Sequence, residues 1–358
     1  MKAAVLDEPN EPLAIEDVVV DAPGPREVLV RTVASGVCAS DLHLIRRRRG
    51  PIVPGHEPAG IVEQIGADVT HVKPGDRVIA CLSIFCGVCD FCISGRSHLC
   101  GGRMFERRPG EPPRLSRHGA PVGQMSQLSS FAEQMLVPEN ALVKVRDEMP
   151  LDRAALIGCG VTTGLGAALY RARVEAGATC AVVGCGGVGL SVVQGCRIAG
   201  ATRIIAVDTQ QWKLDLACRV GATDGVNASA CDAVAAVREL TQGGVAYAFE
   251  AVGTNATARQ AYDMTRKGGT VVVVGVITDA DPLPLPGFDL VMGEKAVLGS
   301  TMGSVGFRIA MPRFVDLYLQ GRLLLDEIIS ARRPLAGINR CLDELRAGSA
   351  ARNVIVFD

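Results

Sequence analysis

Cys86, Cys89, Cys92 and Cys100 place four thiols within fifteen residues, in the spacing Cys-x2-Cys-x2-Cys-x7-Cys. Loops this short can fold four thiolates tetrahedrally around one Zn2+, at about 2.3 Å each, with every position filled. Such a closed site is structural. An iron–sulfur cluster or disulfides would use the same residues, but no electron-transfer context accompanies them, and zinc is the favoured reading. A nucleic-acid-binding zinc ribbon would need a basic helix beside it, and none follows. Other candidates stand apart: Cys38 in Gly36-Val37-Cys38-Ala39-Ser40-Asp41-Leu42-His43, then His56-Glu57, then Cys159 in Gly158-Cys159-Gly160. Each alone is weak, because a single cysteine is more often a small buried hydrophobe and a single histidine an ordinary satisfied residue.

A different chemistry is written in Gly184-Cys185-Gly186-Gly187-Val188-Gly189, which lies between the strand pattern Cys180–Val183 and the helix pattern Leu190–Ile198. Gly184 permits the tight turn, Gly186 lets backbone approach a pyrophosphate, and Gly189 allows close helix–strand packing. The helix N-terminus offers free N–H groups and a positive dipole end to phosphates. The next strand pattern ends at Asp208, 19 residues beyond Gly189. A carboxylate there accepts hydrogen bonds from an adenosine ribose and repels a 2′-phosphate, so NAD is expected rather than NADP.

Elements must hold these residues in place, and the chain changes texture where they change. Residues 1–150 carry short β-branched runs such as Val28–Val33 and Asp76–Ala80, punctuated by Gly and Pro, which read as antiparallel β with long loops. From about 161, strand patterns (Cys180–Val183, Arg203–Val207, Gly269–Val274) alternate with helix patterns (Lys213–Val220, Asp232–Leu240), which argues a parallel sheet with helices on both faces. After about 300 that rhythm is lost, and the chain closes on the strand pattern Asn353–Phe357. The 358 residues suggest two domains. With 48% hydrophobic and 21% charged residues and a net charge of −1, disorder is excluded and no general attraction to nucleic acid or anionic lipid is expected. The start carries no secretory pattern, and the most apolar stretch, Cys180–Val193, is short and glycine-rich, so no membrane span is expected. A cytoplasmic compartment is therefore expected, where thiols stay reduced and clusters among the thirteen cysteines more often bind metal than pair.

From about residue 25 to its end the sequence resembles the zinc-dependent medium-chain alcohol dehydrogenases. The likeness rests on Gly55-His56-Glu57, Pro74-Gly75-Asp76-Arg77-Val78, the four-cysteine lobe, Gly158 to Gly164 and Gly184 to Gly189. It implies an α/β fold: a GroES-like, mainly antiparallel β catalytic domain from 1–160 and 302–358, a Rossmann doubly wound parallel-sheet domain at 161–301, and a cleft between them. It also implies two Zn2+ per subunit. Cys38, His56 and Cys159 match the ligands of a catalytic zinc with a fourth position open. Glu57 matches a conditional ligand behind the metal, and Asp41 the carboxylate that orients the metal-bound imidazole. Ser40 and His43 match a proton relay. Lys213 falls where the family has a lysine on the adenosine ribose, Arg352 where an arginine reaches the pyrophosphate, and Thr163 and Val276 in cofactor-contacting segments. Two thiolates and a neutral imidazole cancel the charge of Zn2+, yet the ion still polarises a fourth oxygen, as open zinc sites acidify bound water to a pKa of about 7.

The implied reaction is hydride transfer between NAD(H) and a primary or secondary alcohol or its carbonyl partner. A dehydrogenase of S-(hydroxymethyl) thiol adducts is the nearest alternative; a zinc-dependent enal reductase and a non-enzymatic redox-sensing or structural protein are more distant ones. Ala39 stands where many members have a cation against the pyrophosphate. Leu82, Phe105, Met125, Val276 and Thr301 are expected to line the substrate pocket, and Leu82, in place of a common aromatic, would make it roomier. The long stretch from Cys100 to Phe131 resembles that of dimeric liver-like members, so a homodimer is the favoured assembly. Arg46–Arg49, with Arg103, Arg107, Arg108, Arg114 and Arg117, would either pair with other surfaces or form a positive funnel for an anionic substrate.

Overall fold

The β-branched runs of the first 150 residues pair as antiparallel strands. In the computed structural model, which describes every residue except 103, 104, 109 and 279, the strand Glu27–Gly36 runs through a seven-stranded sheet. It pairs antiparallel with Glu57–Ile65, Gln134–Pro138 and the C-terminal strand Arg352–Val356. Val28 and Val30 pack on Val62, Val78, Met135 and Leu142 in one buried core. Burying each such valine contributes about 1.5–3 kcal/mol relative to leaving it exposed. The register also carries function. Gly36 sits opposite Glu57 on one side and Val354 on the other. The chain leading to Cys38, the chain leaving His56 and the side chain of Arg352 therefore meet at one corner. A one-residue slip would turn every side chain to the opposite face and undo that meeting.

These strands belong to a unit formed by Met1–Cys159 and Gly306–Asp358; a second unit spans Gly160–Val305. Past residue 300 the first unit gains helices Phe307–Leu319 and Ile338–Arg346. The second packs Ile338, Cys341 and Leu342 against Leu6, Val37, Ile45 and Ile355. Like those two helices, a helical run from Leu151 to Ala172, broken by π-turns at Ile157–Val161 and Ala167–Ala172, has no counterpart in the sequence reading. Its residues 154–168 are buried on every side, so no amphipathic period marks it.

Among the described residues the second unit holds six parallel strands in one sheet. Across the sheet they run Asp224–Asn227, Arg203–Asp208, Thr179–Val183, Val245–Glu250, Thr265–Val273 and Ala296–Gly299. The order reverses between Thr179–Val183 and Val245–Glu250, and in such sheets ligands bind at the carboxyl ends beside that switch point. Among the described residues no helix is long and apolar enough to cross a membrane.

A half-buried polar knot ties helix Phe307–Leu319 to the rest of the first unit. Arg308 donates Nη2 to His71 Nε2 at 2.7 Å and to the Glu139 carbonyl, and its guanidinium lies over Phe85. Since arginine can only donate, His71 is neutral and gives its Nδ1–H to Glu139 Oε2 at 3.1 Å. Glu139 also takes Arg26 Nε, while Leu142 offers its backbone nearby. Burial first, then Arg308, holds the His71 pKa below its ordinary 6.5; Glu139 offsets them in part. The folded state thus binds fewer protons than the unfolded one, and this contribution to stability is lost as pH falls from 6.5 through the lowered value. Between pH 7.5 and 5.5 the melting temperature of His71→Asn should fall less steeply than that of the wild type. Parallel slopes would refute the assignment.

Candidate metal centres and cofactor crevice

One corner of the first unit gathers Cys38, His56, Glu57 and Cys159, all buried, with one ligand atom from each lying within 4.8 Å of the others. Cys38 caps the helix Ala39–Arg47. In the first turn of that helix the fully buried Asp41 accepts the Cys38 backbone N–H on Oδ2 and the His56 Nδ1–H on Oδ1, each at 2.9 Å. One carboxylate thereby fixes two donors and the imidazole tautomer. His56 Nε2 is buried without a hydrogen-bond partner, as a nitrogen reserved for a metal would be. Cys159 arrives on the π-turn Ile157–Val161, a distortion frequent at functional sites.

The donor set is electrostatically incomplete on its own. The hydrogen bond with Cys38, then burial, pushes the Cys159 thiol well above its ordinary value, while Cys38 is held well below. One thiol keeps its proton; a divalent cation would let both ionise. Burial raises Glu57 to about 7 despite Arg352, whose Nη1 lies 3.2 Å from Glu57 Oε1. A methyl group on Gly36 would run into Glu57 Oε2, so only glycine admits this carboxylate. Arg352, expected from the resemblance to reach a pyrophosphate, is 4% exposed and bonded to Glu57 and the Val37 carbonyl; its partners in this structure are those of the metal corner. Ser40 and His43 are half-buried and three residues apart on one helix, hence on one face.

Cys86, Cys89, Cys92 and Cys100 also bring their sulfurs within 4.8 Å of one another. Four thiolates at tetrahedral angles around zinc would be about 3.8 Å apart; Cys89–Cys92 and Cys86–Cys92 measure 3.5 and 3.9 Å. Backbone N–H groups of Val88 and Cys89 point at the Cys86 sulfur and lower its thiol to about 6. Cys92, disfavoured by burial, rises to about 12. Again the set fits a cation.

In the second unit Gly184–Gly189 links strand Thr179–Val183 to helix Gly187–Ala199. Gly189 abuts the Gly184 carbonyl so closely that any side chain would collide, whereas nothing lies within 4 Å of where a Gly186 side chain would be. That open backbone face and a helix start with no side-chain cap fit a phosphate. Asp208 receives the Cys185 and Gln210 backbone N–H groups at 2.8 and 3.1 Å, and half-buried Lys213 lies one turn on with Nζ 5.6 Å from the Trp212 ring centre. Thr163 is 9% exposed and donates to Met302 Sδ; Val276 is 63% exposed.

Leu82 and Phe105 pack into the same core as Val28 and Val30, Met125 joins Leu6 and Ile45 in another, and Thr301 is exposed in the second unit. Three arginines of the long loop are fasteners. Arg114 meets Glu27 at 2.5 Å and donates to the Phe105 carbonyl; Arg107 meets Glu27 at 2.6 Å and also Asp21; Arg117 meets Asp7 and Glu16. Arg108 and Arg46–Arg49 remain exposed, and Arg103 lies outside the described residues.

Residues 24–147 match the alcohol dehydrogenase GroES-like domain family and residues 187–320 the zinc-binding dehydrogenase family. The chain is 41% identical to an NDMA-dependent alcohol dehydrogenase of Amycolatopsis methanolica, covering 99% of this chain and 98% of that protein. It is 40% identical to a probable S-(hydroxymethyl)glutathione dehydrogenase of Schizosaccharomyces pombe, over 99% and 96%. Among solved structures, benzyl alcohol dehydrogenase from Acinetobacter calcoaceticus superposes with a TM-score of 0.93 at 32% identity, covering 100% of this chain and 99% of that one.

Proposed function

The chain belongs to the zinc-dependent medium-chain alcohol dehydrogenases, and we propose that within this family it is an NAD-dependent, two-zinc homodimer acting on roomy primary or secondary alcohols and their carbonyl partners. The observation that carries the reading is the buried corner of two thiols and one orphaned imidazole nitrogen. Cys38, His56 and Cys159 would hold the catalytic zinc, and the four-cysteine lobe the structural one. Zinc when bound polarises an alcohol or carbonyl oxygen, and the nicotinamide exchanges hydride.

The remaining work falls to the chain. Asp41 keeps His56 in the tautomer whose Nε2 faces the metal. Glu57, poised near neutrality and balanced by Arg352, sets the charge behind it. Ser40 receives the proton an alcohol must lose, and His43, one turn further along the helix, passes it outward. Gly184, Gly186, Gly187, Val188 and Gly189 cradle the pyrophosphate, Asp208 and Lys213 hold the ribose, and Thr163 and Val276 border the cofactor. Exposed Phe288, Val291 and Met292 beside the edge strand Ala296–Gly299 support pairing with a second copy. A full set of unpaired thiols suits the cytoplasm.

A panel of alcohols assayed with NAD and with NADP tests this. NAD should be favoured by about tenfold or more, benzyl and secondary alcohols should outrun ethanol, and metal analysis should find close to two zincs. Equal use of NADP would refute the role of Asp208, and a strong ethanol preference the roomy pocket. The exposed Arg46–Arg49 and the S. pombe relative favour one second reading, oxidation of S-(hydroxymethyl) thiol adducts. Turnover that requires formaldehyde plus a thiol would establish it.

A further inference from the structure

Glu250 ends the strand Val245–Glu250 at the switch point of the parallel sheet and is wholly buried. Its carboxylate oxygen Oε1 accepts the backbone N–H groups of Val252 and Gly253 at 2.7 Å each, and the Thr257 hydroxyl at 2.8 Å. Its backbone carbonyl accepts Val274 N–H and Gly275 N–H at 2.8 and 3.0 Å. The second carboxylate oxygen, Oε2, is buried with no hydrogen-bond partner. Leaving a buried polar oxygen unsatisfied is costly, so packing alone gives no reason for an acid here.

What the residue grips explains it. The turn Ala251–Gly253 packs on two sides. A side chain at Gly184, the first glycine of the phosphate loop, would lie 2.5 Å from Val252 Cγ2. One at Gly253 would lie 2.8 Å from the Val276 carbonyl oxygen, and one at Gly275 would lie 2.6 Å from Glu250 Oε2. The phosphate loop, the Ala251–Gly253 turn and Val276 thus pack in close succession. Asp208 braces the same loop from the opposite neighbouring strand, through Cys185 N–H.

We infer that Glu250 is a positioning residue for the cofactor: it locks the Ala251–Gly253 turn between Gly184 and Val276 and so fixes the span that a nicotinamide dinucleotide must bridge. This rests on the proposed reading of Gly184–Gly189 as the pyrophosphate loop. Glu250→Gln keeps an oxygen able to accept the same three hydrogen bonds; Glu250→Ala keeps none.

The test is direct titration of the zinc-loaded protein with NADH, followed by its fluorescence, beside KM for NAD and kcat. Glu250→Ala should weaken NADH binding and raise KM for NAD by about tenfold, with kcat within about threefold, as loss of several hydrogen bonds implies. Glu250→Gln should stay within about threefold of wild type in affinity and melt no lower. If Glu250→Ala does not fold, Thr257→Val removes one donor from outside and should weaken NADH by about threefold. Unchanged affinity in the folded variant tested overturns the proposal, and so does a Gln variant as weak as the Ala one. A wild type that does not bind NADH refutes the cofactor reading itself, while NADH binding with indifferent Glu250 variants refutes only this inference.

Discussion

Cys159→Ser loses turnover, with kcat falling by about 10^3-fold or more, while its fold and one tightly held zinc remain. The magnitude follows from the several kcal/mol that a Lewis acid contributes to such a barrier, about 4 kcal/mol being a thousandfold. Serine removes the second thiolate from the Cys38, His56, Cys159 corner, so the site can no longer neutralise a divalent cation with its two sulfurs. It leaves the strand pairing and the helical run around it intact, because the substitution is nearly isosteric and Cys159 contributes no secondary-structure hydrogen bond through its side chain. Metal analysis should read one zinc instead of two, with a melting temperature within a few degrees of wild type. A variant that keeps two zincs and full activity would refute the ligand assignment.

The second large effect is on stability. Cys100→Ser should release the zinc of the lobe, lower the melting temperature on the order of 10 °C, and open residues 86–100 to proteolysis. Structural zinc supplies up to about 10–16 kcal/mol in domains with no other core; here only a lobe depends on it, so the loss is local and smaller. The lobe has little else to hold it. Val88, Phe91, Ile93 and Leu99 are all exposed, and its helices are four and three residues long. The catalytic corner should still take up one zinc. A variant as stable as wild type and resistant in the lobe would show that the four thiols have no metal to hold.

The sequence and the structure agree most closely where chemistry forces local spacing. The four lobe cysteines, the glycine loop and Asp208 are each read from neighbours in the chain, and the alternation of strands and helices around them survives in the parallel sheet. Cys159 was legible only through family likeness, because its carrier helix is buried on all sides and shows no period. Glu250 carried no motif; its role comes from turns contributed by three separate segments. Phe105 sits in a buried core, and its backbone carbonyl takes Arg114, whose anchor, Glu27, lies 87 residues away. Side-chain pairings over such separations leave no trace in local composition. In the arginine-rich loop charge counting allows either pairing or a funnel, and Arg107, Arg114 and Arg117 pair, with Asp7, Glu16, Asp21 and Glu27.

The three-way register at Gly36 has a consequence for how the protein is made. Arg352 and Val37, which meet at the metal corner, are 315 residues apart in sequence. Chains are synthesised from the N-terminus and fold as they emerge, so Cys38, His56 and Cys159 leave the ribosome long before the strand that balances Glu57. A nascent chain can assemble its lobe early, from fifteen contiguous residues, but the Cys38, His56, Cys159 corner is finished only when the strand Arg352–Val356 docks. A chain interrupted before that point would keep the four-cysteine lobe but leave Glu57 without Arg352.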